Sequence, residues 1–379
     1  MGKVTLIATA AMGIEAIVAD EVRSLGYEDC VVENGKVIFE ADELAICRAN
    51  LWLRTADRVK LKVGEFKATT FDELFERTKR LDWARYIPVN AEFPVIGKSV
   101  KSTLFSVSDC QSIVKKAVVE SLKNTYKGTT WFEENGPFYR IEIAMLNDVA
   151  TLTIDTSGVA LHKRGYRTEQ GEAPLKETLA AALVRLSRWT ADRPFIDPVC
   201  GSGTIAIEAA LIGQNIAPGF NRDFASENWD WIGQNNWDKA RVEVEDLAKY
   251  DQPLQIMGSD IDHRMVNIAN DNAFEAGLGD LITFKQMQVK DITTRDEYGV
   301  IIGNPPYGER LGEEKEVEEI YKDMGKVFEK LPTWSVYMLT SHPDFEKLYG
   351  KQATKKRKLF NGFIRTDYYQ YWGPKPPRV

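Results

Sequence analysis

The chain has 379 residues, 44% of them hydrophobic and 28% charged, which is long enough for two or three compact domains with buried cores. No stretch approaches the roughly 20 apolar residues of a membrane span, and the apolar run at the start is too short for a secretory signal, so a cytoplasmic protein without membrane contact is expected. A formal net charge of -7 argues against a nonspecific polyanion binder, while leaving room for a selective one with local basic patches.

Residues 1–65 read as strand, helix, hairpin, helix. Leu6 to Thr9 is a short apolar run; Ile14, Ile17, Val18, Val22 and Leu25 recur at helical spacing, and Gly26 follows as a C-cap. Val31-Val32 and Val37 to Phe39 flank Asn34-Gly35, a strong hairpin signal, and Asp42 caps a helix carrying Leu44, Ile46, Leu51 and Leu53. Residues 66–158 read as a second small α+β unit. It has a helix through Phe71, Leu74 and Phe75, a strand around Phe93 to Gly97, and a helix from Cys110 to about Leu122. Strands near Tyr139 to Met145 and Val149 to Asp155 follow, separated by the turn Leu146-Asn147-Asp148. Neither unit carries an active-site constellation, which assigns both to substrate positioning.

Residues 159–379 differ in character. Leu161 to Arg167 (L-H-K-R-G-Y-R) leads through Pro174 into an amphipathic helix from about Leu175 to Trp189. Apolar strands then alternate with helices: Pro194 to Val199, helix 204–213, Gln255 to Ser259, helix 263–276, Ile282 to Gln286, Val300 to Ile302, a helix near 315–330, and Ser335 to Leu339. That alternation predicts an α/β domain whose mostly parallel sheet is covered by helices on both faces and binds ligands beyond the carboxyl ends of its strands. The segment Gln214 to Asp251, with Trp229, Trp231 and Trp237, interrupts the pattern. It is expected to pack a subdomain, or else to cover a ligand or touch the substrate.

Cys30, Cys47, Cys110 and Cys200 form no C-x-x-C pair, so reduced thiols are expected. His162, His263 and His342 have no partner at ligand spacing, so no metal is expected. Basic candidates for nucleic-acid contact are Lys98 and Lys101, Lys115-Lys116, His162-Lys163-Arg164 with Arg167, and Lys355 to Lys358; each alone also reads as a solvated surface.

Phe195-Ile196-Asp197-Pro198-Val199-Cys200-Gly201-Ser202-Gly203-Thr204 is a strand running into a glycine turn and a helix, whose open N–H groups suit an anionic ligand. Ala206 stands where a dinucleotide fingerprint needs its third glycine, and no Gly-Lys-Ser/Thr follows the turn, which disfavours NAD and excludes a P-loop. A methyltransferase uses the same geometry with Asp197 facing the ammonium and sulfonium region of S-adenosylmethionine. Gly201 and Gly203 make room for its methionine moiety, with Cys200 and Thr204 in the same wall. Asp260, in Met257-Gly258-Ser259-Asp260-Ile261-Asp262, is placed to accept both ribose hydroxyls, with Asp262 as competitor or helix cap. Asp291, after the third strand, is the candidate for the adenine amino group. Cys200, inside the turn, reads as a small core residue and not a nucleophile.

Val300-Ile301-Ile302-Gly303-Asn304-Pro305-Pro306-Tyr307-Gly308-Glu309-Arg310-Leu311 delivers an amide, two prolines and an aromatic to a strand's carboxyl end. Proline fixes φ and cannot donate, so the pair forms a rigid turn whose carbonyls remain acceptors. A base amino group is a poor nucleophile because its lone pair is delocalised into the ring. If the Asn304 amide oxygen and the Pro305 carbonyl accept its hydrogens, the lone pair is aimed at the methyl group; Asn304 thereby also borders the cofactor, and Tyr307 stacks on the base. Arg310 is a further candidate for RNA contact.

Asp197 to Thr204 with Asn304 to Leu311 resembles the amino-methyltransferases of the Rossmann-like class, and N-P-P-Y-G-E-R-L-G is similar to the RNA guanine-N2 branch. Leu161 to Arg167 is similar to the segment preceding the catalytic domain there, and the first 155 residues are similar to that branch's ferredoxin-like plus THUMP module, an RNA-binding unit. The resemblance covers essentially the whole chain. It implies a ferredoxin-like domain (1–65), a THUMP domain (66–158) and a class I α/β Rossmann-like methyltransferase domain (159–379), with S-adenosyl-L-methionine as cofactor and RNA as partner. Within the branch the chain resembles the methyltransferase half of the bacterial enzyme that forms N2-methylguanosine in 23S ribosomal RNA, which implies that target; archaeal and eukaryotic relatives act on tRNA. DNA adenine-N6 and protein glutamine methyltransferases share N-P-P-Y and remain alternatives, as does a non-enzymatic RNA-binding assembly factor.

Overall fold

The computed structural model describes residues 2–167, 175–308 and 314–377. They form two compact units. The first comprises the N-terminal residues through Ala10, Ala19–Leu161 and Arg222–Glu243; the second comprises Ala11–Val18, His162–Asn221 and the described chain from Val244 onward.

The first unit is one seven-stranded sheet in the order β2-β3-β1-β4-β7-β6-β5. In chain order its elements are β1 (Val4–Ala10), α1 (Glu15–Ser24), β2 (Cys30–Glu33), β3 (Lys36–Ala41), α2 (Glu43–Trp52), β4 (Ala56–Lys67), α3 (Phe71–Lys79), β5 (Val95–Val100), α4 (Val107–Thr125), β6 (Ile141–Leu146) and β7 (Val149–Asp155). Asp42 caps α2, its Oδ1 accepting the Ala45 N–H at 3.1 Å. Asn34-Gly35 closes the β2–β3 hairpin with Gly35 at φ 75°. Asn147 and Asp148, at φ 50° and 63°, form the two-residue loop between β6 and β7 that a right-twisted hairpin prefers. The strand absent from the sequence reading is β4, twelve residues long and hydrogen-bonded to both β1 and β7. Its mixed run A-D-R-V-K-L-K-V-G-E-F-K hides a central strand, and the boundary expected at 65/66 falls inside it.

The part of the segment that holds the three tryptophans, Arg222–Glu243, belongs to this unit. Its short turn Ala225–Asn228 follows β7, the Ser226 N–H donating to the Thr156 carbonyl at 3.1 Å. Trp229 is buried, stacks on Tyr139 with ring centres 4.3 Å apart, and donates from Nε1 to the Phe138 carbonyl. Trp237 is buried against Phe224, and Glu243 pairs with Arg48 at 2.8 Å. Helix α7 (Gln234–Leu247) carries both Trp237 and Glu243, and its residues through Glu243 belong to the first unit.

The second unit is a seven-stranded sheet in the order β10-β9-β8-β11-β12-β14-β13. After α5 (Glu177–Leu186) come β8 (Phe195–Asp197), α6 (Thr204–Gly213), β9 (Ile256–Asp260), α8 (His263–Glu275), β10 (Ile282–Gln286), β11 (Val300–Gly303), α9 (Glu314–Phe328), β12 (Ser335–Thr340), α10 (Phe345–Tyr349), β13 (Lys355–Asn361) and β14 (Ile364–Tyr371). Strands β8 to β12 are parallel, and β14 and β13 are antiparallel additions at one edge. From β8 the chain moves outward through β9 and β10 and then returns to β8's other side with β11 and β12. The resulting switch point opens a crevice at the carboxyl ends of β8, β9 and β11. Strands β11 and β12 are buried throughout, as the apolar runs Val300 to Ile302 and Val336 to Leu339 require.

Candidate active site

A cavity of about 770 Å³ lies at that crevice, within the second unit. Asp197 ends β8 and is 1% exposed. Its Oδ1 accepts the Val199 N–H at 3.2 Å, while Oδ2 has no partner among the described residues. Burial, reinforced by the neighbouring Asp260, pushes its carboxyl up to about 8. An unpartnered buried carboxylate facing a cavity calls for a cation.

The glycine turn supplies the space beside it. Gly201 has φ 51° and nothing within 4 Å of where a Cβ would stand; Gly203 has φ 81°, and a Cβ there would meet the Phe284 ring at 2.8 Å. Gly201 thus keeps the cavity open, and Gly203 lets the start of α6 settle against β10. Cys200 is buried, with its thiol pushed well up by burial and then by Asp197 and Asp260, so it is no nucleophile. Thr204, the first residue of α6, is held by Arg167, whose Nη2 donates to Thr204 Oγ1 at 2.7 Å and to the Leu175 carbonyl at 2.9 Å.

Asp260 ends β9 and accepts two backbone N–H groups, from Gly201 on Oδ2 and from Asp262 on Oδ1, each at 3.0 Å. Asp262 lines the cavity and also caps α8, accepting the Arg264 N–H at 2.9 Å. Asp291 does not reach the cavity. It is exposed at the end of the 3-10 turn Val289–Asp291, and the residues that follow β10 directly, Met287, Gln288 and Val289, form the wall instead.

Asn304 to Gly308 enter the same cavity from the end of β11. Tyr307 donates its hydroxyl to Asn304 Oδ1 at 2.6 Å and accepts from Asn361 Nδ2 at 3.3 Å. Buried Tyr321, from α9, donates to the Pro306 carbonyl at 2.6 Å and pins the proline turn from behind. No described donor reaches the Pro305 carbonyl. Tyr321 and Asn361 escaped the sequence reading: one is a core position on an amphipathic helix, the other closes a hairpin concealed in a basic run.

The basic candidates separate. Arg164 is buried and paired with fully buried Glu208 through Nε at 3.3 Å and Nη2 at 3.4 Å, and Tyr166 donates to the same carboxylate. Arg167 pairs with buried Glu177 at 3.3 Å. Both face inward, contrary to the RNA-contact expectation, because α6 and α5 bury carboxylates that need cations. His162 is half-buried, and burial followed by Lys176 and Arg164 pushes its imidazole down to about 4, leaving it neutral at physiological pH. Lys163 stays exposed. Lys98 and Lys101 are exposed on the first unit, Lys98 pairing with Glu142 at 3.1 Å. Lys355 to Lys358 are part of β13, where Lys356 pairs with Glu346. Arg310 lies outside the described residues.

Residues 164–370 match the family of RMKL-like methyltransferase domains, residues 5–60 the RlmL ferredoxin-like domain and residues 68–155 the THUMP domain. A Bacillus subtilis (strain 168) protein named "Putative RNA methyltransferase YpsC" is 71% identical over 379 residues, covering 100% of this chain and 98% of its own. A Listeria monocytogenes crystal structure, described as a "predicted N6-adenine-specific DNA methylase", is 64% identical, covers 99% of this chain and 97% of its own, and superposes with TM-score 0.95. SMU.472, solved complexed with SAH, is 50% identical, covers 100% of both chains, and has TM-score 0.95.

Proposed function

Given that the chain belongs to the RMKL-like methyltransferase family and carries ferredoxin-like and THUMP domains, we propose that it methylates the exocyclic N2 amino group of a guanine in RNA, in 23S ribosomal RNA rather than tRNA. The observation that carries the reading is the arrival of Asn304-Pro305-Pro306-Tyr307 in the same cavity as Asp197, Gly201 and Asp260.

The residues fit S-adenosyl-L-methionine. The unpartnered Asp197 oxygen takes the ammonium, the space over Gly201 takes the methionine moiety, and Asp260 accepts ribose hydroxyls while holding the Gly201 turn. When bound, this cofactor supplies a methyl group on a sulfonium leaving group. The target guanine leaves its stack and enters between Tyr307 and the proline turn. Its amino group displaces the Tyr307 hydroxyl from Asn304 Oδ1 and gives its second hydrogen bond to the Pro305 carbonyl. Both acceptors are held before the reaction, one by β11 and one by the Tyr321-pinned turn, so they stabilise charge developing on nitrogen at small reorganisation cost. After transfer, the surplus proton leaves to solvent. The Listeria relative's description names DNA adenine; the THUMP domain and the B. subtilis relative's name support RNA.

The test is mass-spectrometric mapping of RNA from a deletion strain, with radiolabelled methyl transfer to RNA, DNA and protein pools. Loss of one N2-methylguanosine from 23S RNA is expected. Retention of every such nucleotide in both rRNA and tRNA overturns the reading, and label entering only DNA or protein replaces it.

A further inference from the structure

We propose that the tip of the β13–β14 hairpin is an RNA-contacting finger whose Phe363 stacks on a base beside the nucleotide being methylated; the proposal rests on the reading above that the substrate is RNA. Asn361 and Ile364 are the closing pair of the hairpin, and both line the cavity. The two residues between them, Gly362 and Phe363, therefore form the hairpin tip directly next to this cavity-lining pair. Gly362 takes φ 63° while Phe363 stays at negative φ, the arrangement of a tight two-residue loop with glycine first, which aims the second side chain outward. Phe363 is 104% exposed, more than any other large apolar side chain described. Gly362, Ile364 and Arg365 beside it are exposed as well.

A two-residue loop needs glycine and polar turn formers and has no folding use for a phenylalanine in water. The tip also sits on a firm base. Seven residue pairs hold β13 to β14; Leu359 and Tyr368 are buried below the tip, and Thr366 Oγ1 donates to the Leu359 carbonyl at 3.2 Å. On the cavity side, Asn361 donates to the hydroxyl of Tyr307. The finger is thus tied to the residue that stacks on the target base. An extruded base leaves a gap bordered by its stacked neighbours, and an aromatic ring carried on a rigid hairpin can cover that gap. Any base offers a face to stack on, and the Arg365 guanidinium adds attraction to the phosphate backbone.

The experiment uses the full chain, RNA from the deletion strain as naked rRNA and as ribosomal particles, and labelled methyl donor, with KM and kcat for wild type, Phe363→Ala, Phe363→Leu and Phe363→Trp. Phe363→Ala is expected to raise KM for RNA by about five-fold or more, Phe363→Trp to restore it and Phe363→Leu not to, since stacking and not apolar area is the cause. SAH affinity by calorimetry should stay within about two-fold of wild type in all three, which separates a lost contact from a damaged fold. A Phe363→Ala KM within about two-fold of wild type, or Phe363→Leu restoring it as well as Phe363→Trp, overturns the proposal. A loss confined to ribosomal particles also overturns it, by assigning the tip to a protein contact. Wild-type protein that methylates no RNA defeats the functional reading itself, a different result from active wild type with unimpaired variants.

Discussion

Asp197 shows how one residue sets a testable property of the site. Its acid is pushed up to about 8 by burial, with Asp260 adding repulsion. Between the ordinary carboxylate range and that value, the folded chain holds a proton that the unfolded chain releases. The stability it contributes is therefore full below the ordinary range and is lost as pH rises through about 8. An ammonium beside it restores the carboxylate, so SAH binding at pH about 7 should release about one proton, read by calorimetry in buffers of different ionisation enthalpy. Asp197→Asn should bind more weakly and release none; wild-type binding without proton release would show an already ionised Asp197. Asn304→Ala should cut turnover by about 10²–10³-fold with SAH affinity within about two-fold, whereas Asp260→Ala should weaken SAH by about ten-fold or more. A severe SAH loss in Asn304→Ala would make that residue structural. The placement of Asp197, Asp260 and Asn304 was legible in the sequence because the first two end a strand and the third directly follows one. Asp291 lies outside the cavity lining, because a strand's end does not say which later loop residue turns toward the crevice.

At the scale of elements, Arg164 and Arg167 form an inward-facing electrostatic anchor on the carboxylates of α6 and α5. Breaking one half strands the other: Arg164→Met should destabilise the protein by about 3–5 kcal/mol, and the double change Arg164→Met, Glu208→Leu should recover most of it. Denaturant midpoints measure both, and additive losses would mean that the pair is not coupled. A signal was present in the sequence. Glu208 is the lone charge in T-I-A-I-E-A-A-L-I-G, a helix apolar on all sides, and a carboxylate in such a helix needs a buried cation. Conversely, K-K-R-K-L-F-N reads as a basic patch although it forms an edge strand, because an edge strand shows charge to solvent on purpose.

At the scale of the whole molecule, the segment with the tryptophans interrupts the catalytic domain in sequence and completes the first unit in space. Trp229→Ala removes a buried ring stacked on Tyr139 and should cost that unit about 3–5 kcal/mol in a denaturant melt, with SAH affinity within about two-fold of wild type. A matching loss of SAH affinity would show that the segment serves the cofactor site after all. The sequence alone determined the alternation of strand and helix, the carboxyl-end placement of Asp197, Asp260 and Asn304, and the turns at Asn34-Gly35 and Asn147-Asp148, since each follows from local periodicity and backbone chemistry. Only the tertiary structure decided that Arg164 and Arg167 face inward, that β4 joins the strands of residues 1–65 and 66–158 into one sheet, that Tyr321 pins the proline turn, and that Asn361 and Ile364 line the cavity. Such pairings join residues far apart in the chain, and burial and charge compensation between distant elements leave no periodic trace in either one.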